Sequence, residues 1–323
     1  MASIAARPNI GTPTMQNTKA VRYYEYGDPS VMKLEEVPRP RPKPGEVLVR
    51  VRATGVHPMD WKTRAGYLKD FMPVELPHVP GWEFAGSVEE VGEAVSGFKP
   101  GDTVFGRGSG TYAEYAVAPA ATLAHKPDAL SFEQAAPLGL TGVTAWQAVE
   151  AAELQPGQRV LVQGGAGGVG SLVVQLARQR HAHVIATTSP ENVDYVRALG
   201  ADEVLDYIAA PFEKRVAGLD AVIDTVGGDV LERSWGVLKT GGVLITIAAM
   251  PDQAIAEAHG VRVRGLAQLE STTRILEQLG DLAASGAINV PVAATFPLHK
   301  VAEAHAASQT GHGRGRRVLI IEF

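Results

Sequence analysis

The rhythm of hydrophobic and polar positions changes once along this chain, near Ser131. Before it, apolar runs are short and broken by turns: KAVRYYEYG (19–27), VMKLEEVPRPRPKPGEVLVRVRATGV (31–56), WEFAGSVEEVG (82–92), GDTVFGRGSG (101–110) and TYAEYAVAP (111–119). Within the second run, Glu46 to Val56 alternates apolar and polar residues, the period of a strand. Pro38 to Gly45 holds four prolines, which donate no ladder hydrogen bonds, so it reads as a stiff connector. The pattern predicts an all-β, barrel-like first domain to about Ser131.

After Ser131 the period becomes helical. Ser131 and Gln134 match a capping box, with a hydroxyl at N-cap and an amide at N3, and Ala135 to Ala151 carries helix formers. Strands and helices then alternate: RVLVQG (159–164), helix Val169 to Arg180, HVIATT (183–188), helix Glu191 to Leu199, DEVLDY (202–207), DAVIDTV (220–226), helix Val230 to Leu238 and GGVLITIAA (241–249). Short apolar strands separated by helices predict an α/β fold with a parallel sheet covered on both faces. PVAATF (291–296), a helix His299 to Ser308 and RRVLIIEF (316–323) close the chain. Met1 to about Thr18 has neither periodicity nor a continuous apolar core and reads as a disordered tail.

Composition narrows the classes of function. A length of 323 residues suggests about two domains. With 30 basic against 35 acidic side chains and a net charge of −5, no basic stripe invites nucleic acid or an anionic membrane. No apolar run reaches the ~18 residues of a membrane span. The absence of cysteine excludes disulfides, thiol nucleophiles and thiolate zinc ligands, and fits a cytoplasmic location. The nine histidines contain no His-Glu-x-x-His, and no metal site is expected.

Gly165-Ala166-Gly167-Gly168-Val169-Gly170 is a GxGxxG in a fitting context. A buried strand precedes it, and Val169, Leu172, Val173, Leu176 and Ala177 make one apolar helix face after it. The first glycine permits a tight turn, the second lets a pyrophosphate approach the backbone, and the third lets helix and strand pack closely. A tight turn with no ligand is the bland alternative. NAD sites place an acid about 20 residues on, at the end of the next strand. Here that strand ends Thr187-Thr188-Ser189-Pro190, with no acid before Glu191. Hydroxyls can donate to a 2′-phosphate that a carboxylate would repel, so NADPH is favoured. In the competing view, Ser189 merely caps the helix that starts at Pro190.

These residues resemble the medium-chain dehydrogenase/reductase superfamily, and within it the zinc-independent quinone oxidoreductase and alkenal (enone) reductase branch. The likeness runs from about Lys19 to Phe323 and rests on GVHPMDWKTRAG (55–66), HVPGWEFAGSVEEVG (78–92), AAPLGLTGVTAW (135–146), VQGGAGGVG (162–170), LGADEVLDY (199–207) and GRGRRVLI (313–320). It implies a GroES-like β-rich catalytic domain, 19–131 plus 291–323, and a Rossmann NADP-binding domain, 132–290, with a doubly wound six-stranded parallel sheet. Zinc-containing relatives take metal from a Cys and a His whose matching positions here are His57 and Trp82. The resemblance therefore implies hydride transfer to a quinone or an activated C=C without zinc. A polyketide-type enoyl reductase and a cofactor-binding protein with little activity stay open beside it.

By the same resemblance Tyr67 and His57 are the candidate catalytic donors, with a rim tyrosine and a structural histidine as the alternatives. Asp60, Lys62 and Trp82 line the substrate pocket, with a surface ion pair as the alternative for Asp60 and Lys62. The glycine loop, Gly165 to Gly170, takes the pyrophosphate; Ser189 and Tyr207 take the 2′-phosphate; Thr141 faces the nicotinamide. The lysine that many relatives carry after the matching serine is missing, and Arg316 or Arg317 is expected to cover part of that phosphate or to flank the last strand. His259 to Gln268 is a candidate edge for a homodimer through the Rossmann domain.

Overall fold

The structure, a computed structural model, describes residues 17–250, 252–268 and 271–323. Its first part is built of β1 (Asn17–Arg22), β2 (Lys33–Pro38), β3 (Glu46–Val56), β4 (Glu83–Val91), β5 (Thr103–Arg107), β6 (Tyr115–Pro119) and β7 (Leu123–His125). β1 and β2 form an antiparallel pair, while β3 to β7 belong to one larger sheet. Of the expected tail, residues 1–16 lie outside the described residues, while Asn17 and Thr18 belong to β1 and pair with Pro38 and Val37. β3 matches the alternating stretch end for end, yet both its edges are paired and most of its side chains are buried.

One helix, α1 (Pro58–Arg64), corrects the all-β expectation. His57 and Asp60 form its capping box, and Pro58 fills its first position, where no N–H is needed. A helix this short is not visible as a periodic apolar stripe. α2 (Phe132–Ala135) starts with the expected Ser131 and Gln134 box. The helix expected to run on to Ala151 instead breaks around Pro137 and resumes as α3 (Thr141–Ala152), because proline has no N–H to donate to the preceding turn.

The second part comprises β8 (Arg159–Gln163), α4 (Gly168–Gln179), β9 (His183–Thr188), α5 (Val193–Ala198), β10 (Glu203–Asp206), β11 (Leu219–Asp224), α6 (Asp229–Ser234), β12 (Leu238–Thr246), α7 (Gln253–Ala258), β13 (Arg262–Arg264) and α8 (Thr272–Ala284). Six parallel strands run in the order β10-β9-β8-β11-β12-β13, the doubly wound arrangement. Val160 and Val162 of β8 enter one apolar core and Leu161 another, so both faces of the sheet are covered. Strand order reverses between β8 and β11, and a ligand crevice belongs beyond the carboxyl ends of the strands there.

β14 (Val292–Pro297), α9 (Val301–Gln309) and β15 (Arg316–Ile320) then return to the first sheet, where β15 pairs antiparallel with β3. This return brings the C-terminal loop, residues 310–315, against the crevice. Among the described residues no helix is long and apolar enough to cross a membrane.

Candidate active site

After Gln163 the chain turns through Gly164 at φ +75° and enters α4 with Gly167 at the N-cap. Gly165 N donates to Thr187 O at 2.8 Å, tying the loop to β9. A Cβ on Gly165 would stand 2.9 Å from Ala186 Cβ, and one on Gly170 would strike the Gly164 carbonyl oxygen. The last glycine thus has the close-packing role that its spacing implied, whereas the left-handed turn expected at Gly165 falls on Gly164 and Gly165 instead packs against β9. Leu172, Val173, Leu176 and Ala177 are buried, with Val169 packed against the same core. The first-turn N–H groups of α4 lack acceptors within the helix, a ready anion site.

Beside the loop lies a cleft of ≈ 470 Å³, lined by Ala166, Gly167, Ser189, Asn192, Tyr207, Val226, Arg233 and Thr310 to Gly313 among others. Gly315 N donates to Ala166 O at 2.9 Å, which fastens the C-terminal loop to the glycine loop. Ser189 does not cap the next helix through its side chain. Its hydroxyl donates to Glu191 Oε1 at 2.5 Å and accepts from Asn192 Nδ2 at 3.0 Å. Tyr207 stands half-exposed on the lining of the same cleft, its N–H donating to Thr188 O at 3.2 Å. The cleft beside the glycine loop and the free N–H groups of the α4 N-terminus suit a dinucleotide.

At the inner end of this region is a fully buried carboxylate, Glu83, that the pattern of residues did not reveal. Glu83 Oε2 accepts from Leu140 N at 2.9 Å and Thr141 N at 2.8 Å. His57 Nε2 lies 2.7 Å from Glu83 Oε1, an ion-pair distance off the direction of a well-formed hydrogen bond. Thr141 Oγ1 donates to Glu83 Oε1 at 3.3 Å and accepts from Arg316 Nε at 3.0 Å. Burial alone would raise the Glu83 pKa, but His57, Arg316 and the Thr141 N–H together hold it below its ordinary value. Gly55 leaves room for this carboxylate, since a Cβ there would overlap it.

Two expectations are corrected here. Arg316 is buried beside Glu83 and Gly168, with Nε bonded to Thr141 Oγ1, at the start of α4 and not beside Ser189, so of the two readings left open it takes the one that does not reach the ribose phosphate. Asp60 does not line a pocket: only 2 % exposed, it accepts from His57 N at 2.7 Å, Tyr112 OH at 3.0 Å and Gly81 N at 3.2 Å. These bonds tie α1 to the segments just before β4 and before β6. Lys62 stands over the Trp61 ring at 5.7 Å, away from the ion pair with Asp60 that a bland view suggested. Trp82 is partly buried next to Glu83 in sequence. Tyr67 is 73 % exposed in the turn after α1, edge-on to Trp61 at 6.1 Å. The structure therefore brings His57, Thr141, Arg316 and the glycine loop together, and leaves Tyr67 apart from them in contact. Among the described residues no group of three or more His, Asp or Glu is placed to hold a metal ion.

Comparison with known proteins agrees with this geometry. Residues 43–128 match the model of the alcohol dehydrogenase GroES-like domain, and residues 199–319 that of a zinc-binding dehydrogenase. An NADPH-dependent alkenal/one oxidoreductase of Arabidopsis thaliana is 35% identical over 98% of this chain and 83% of its own length. The chain belongs to the medium-chain dehydrogenase/reductase superfamily. Among solved members of that superfamily, a quinone oxidoreductase from Coxiella burnetii superimposes with a TM-score of 0.88 at 34% identity, covering 95% of this chain and 100% of that one. A mycobacterial protein solved in complex with NADPH gives 0.84 at 32% identity, over 94% and 99% of the two chains. The chain is an oxidoreductase of this superfamily that takes a nicotinamide cofactor.

Proposed function

We propose that this enzyme uses NADPH to reduce a quinone or the activated C=C of an α,β-unsaturated carbonyl, without zinc. The observation that carries the reading is the state of His57. Where zinc-containing members place a first metal ligand, His57 is already held against Glu83, and Trp82 stands at the second ligand position. With no metal to acidify an alcohol, hydride donation to a polarised acceptor is the chemistry left.

Bound NADPH supplies the hydride. The chain's own task is to hold the acceptor and receive the charge that develops on its carbonyl oxygen, where one well-aimed donor is worth roughly 3 kcal/mol. Tyr67 is the assigned donor, His57 fixes the charge balance of the inner wall, and Lys62 and Trp82 border the acceptor. Residues 19–131 with 291–323 form the catalytic domain of this reading, and 132–290 the cofactor domain. Strand β13, inside His259 to Gln268, is an edge of the parallel sheet and is the assigned contact of a homodimer. A cytoplasmic location completes the proposal.

The test is NADPH oxidation against a panel of quinones and enones, with and without a metal chelator. Turnover that survives chelation supports the reading. Binding of NADPH without turnover on any acceptor, or turnover that chelation abolishes, overturns it.

A further inference from the structure

The turn after β9, Ser189-Pro190-Glu191-Asn192, carries a carboxylate and no cation of its own. A guanidinium nonetheless stands there. Arg314, from the loop between α9 and β15, donates from Nε to Asn192 Oδ1 at 2.8 Å and from Nη2 to the Glu191 carbonyl at 2.8 Å. Its plane lies over the Tyr195 ring, 5.2 Å from the centroid. Both acceptors are neutral, so these contacts position the charge without cancelling it. Arg233, another cation at the cleft, is by contrast held at 2.9 Å by both Glu213 and Asp229.

We propose that Arg314 reads the 2′-phosphate of NADPH, standing in for the lysine this turn lacks, and that Glu191 opposes it. The proposal rests on the NADPH reading above and names the residues that decide it. Ser189 and Asn192 line the cleft and share one hydrogen-bonded chain with Glu191 and Arg314. A ribose phosphate arriving at Ser189 meets the Arg314 guanidinium, whose fork suits phosphate oxygens. The exposed Glu191 carboxylate repels the same phosphate. When Glu191 turns outward, the Ser189 hydroxyl is released to donate to the phosphate instead. A ribose with a free 2′-hydroxyl gains nothing from Arg314 and loses nothing to Glu191.

The experiment is calorimetric titration of the full-length protein with 2′,5′-ADP and with 5′-ADP, which involves no turnover. Wild type is expected to bind 2′,5′-ADP about tenfold or more tightly than 5′-ADP. Arg314→Ala is expected to lower the 2′,5′-ADP affinity about tenfold while leaving 5′-ADP nearly unchanged, and Arg314→Lys to restore part of the loss. Glu191→Gln is expected to tighten 2′,5′-ADP alone. If Arg314→Ala weakens both nucleotides equally, the residue only shapes the loop and the proposal falls. If wild type prefers 2′,5′-ADP and Arg314→Ala keeps that preference, the proposal falls while the NADPH reading stands. If wild type binds both alike, the NADPH reading fails and takes this proposal with it.

Discussion

Arg316, on the last strand, lies directly over Gly168, at the start of α4: a Cβ on that glycine would stand 2.7 Å from Nη2 and 2.8 Å from Cζ. The guanidinium is tied down by Nε to Thr141 Oγ1 at 3.0 Å and by Nη1 to Val56 O at 3.4 Å. A single arginine therefore links the glycine loop, the start of α3 and the end of β3.

Gly168→Ala tests that link. The added methyl has to displace a buried, bonded guanidinium, and such overpacking costs about 1–3 kcal/mol of stability. If Arg316 serves the cofactor site, shifting it off the start of α4 should lower NADPH affinity about tenfold or more. Titration of nicotinamide fluorescence measures the affinity. An affinity equal to that of wild type removes Arg316 from the cofactor site.

Glu83→Gln is the companion test at the inner wall. Glu83 offsets the charge of Arg316 and lies against His57, and taking one member from a buried ionic cluster typically costs about 3–5 kcal/mol. The loss is read as a lower urea midpoint. The pH dependence has a definite sign: because the native carboxyl is held below its ordinary value, its stabilisation is present above the ordinary carboxylate range. It is lost as pH falls through the lowered native value. Glu83→Gln should remove this part of the acid dependence, and a parallel fall in both proteins would refute the role.

The parallel sheet and the glycine loop were legible because their causes are local. The central strands of that sheet are short apolar runs, as RVLVQ is for β8 and HVIATT for β9, and GAGGVG between a strand and an apolar helix face marks the loop, whereas edge strand β13, Arg262–Arg264, carries no such run. Glu83 was not legible, since nothing around it in sequence says that a carboxylate inside a strand meets His57, Thr141 and Arg316. Its partners come from three distant stretches that the fold alone gathers. Asp60 misled for the same reason: an acid on a short helix looks available until Tyr112 and Gly81 are seen to use both its oxygens. Arg314 and Arg316 are two residues apart, and neighbouring positions on the loop and strand send one to Asn192 after β9 and the other to Thr141 at the start of α3.

Tyr67→Phe addresses the proposed donor. The ring packs on Trp61 through its edge and face, contacts that phenylalanine retains, so stability should change little. Removal of the hydroxyl should lower kcat for enone reduction about tenfold or more with NADPH affinity preserved. Steady-state kinetics paired with cofactor titration separates the two quantities. An unaltered kcat takes Tyr67 out of the mechanism.

His305 sets a second acid-sensitive element, remote from the glycine loop. It is fully buried on α9, its Nε2 3.4 Å from Tyr112 OH and its ring edge-on to that tyrosine. Burial, reinforced by the nearby Arg64 charge, pushes its pKa from 6.5 down to about 3. The native protein thus keeps this imidazole neutral where the unfolded chain protonates it. Its contribution is intact above pH 6.5 and declines as pH falls toward 3, by up to about 1.4 kcal/mol per pH unit. Asp60, whose carboxyl burial pushes up, works in the opposite sense, because the native state then holds its proton more firmly than the unfolded chain. It is common to wild type and His305→Gln, so the difference between their stability curves isolates the histidine. Urea midpoints across pH 7 to 4 should converge as pH falls, since glutamine has no proton to take up. Curves that stay parallel over that range would mean that His305 titrates alike in the folded and unfolded chains and would refute this role.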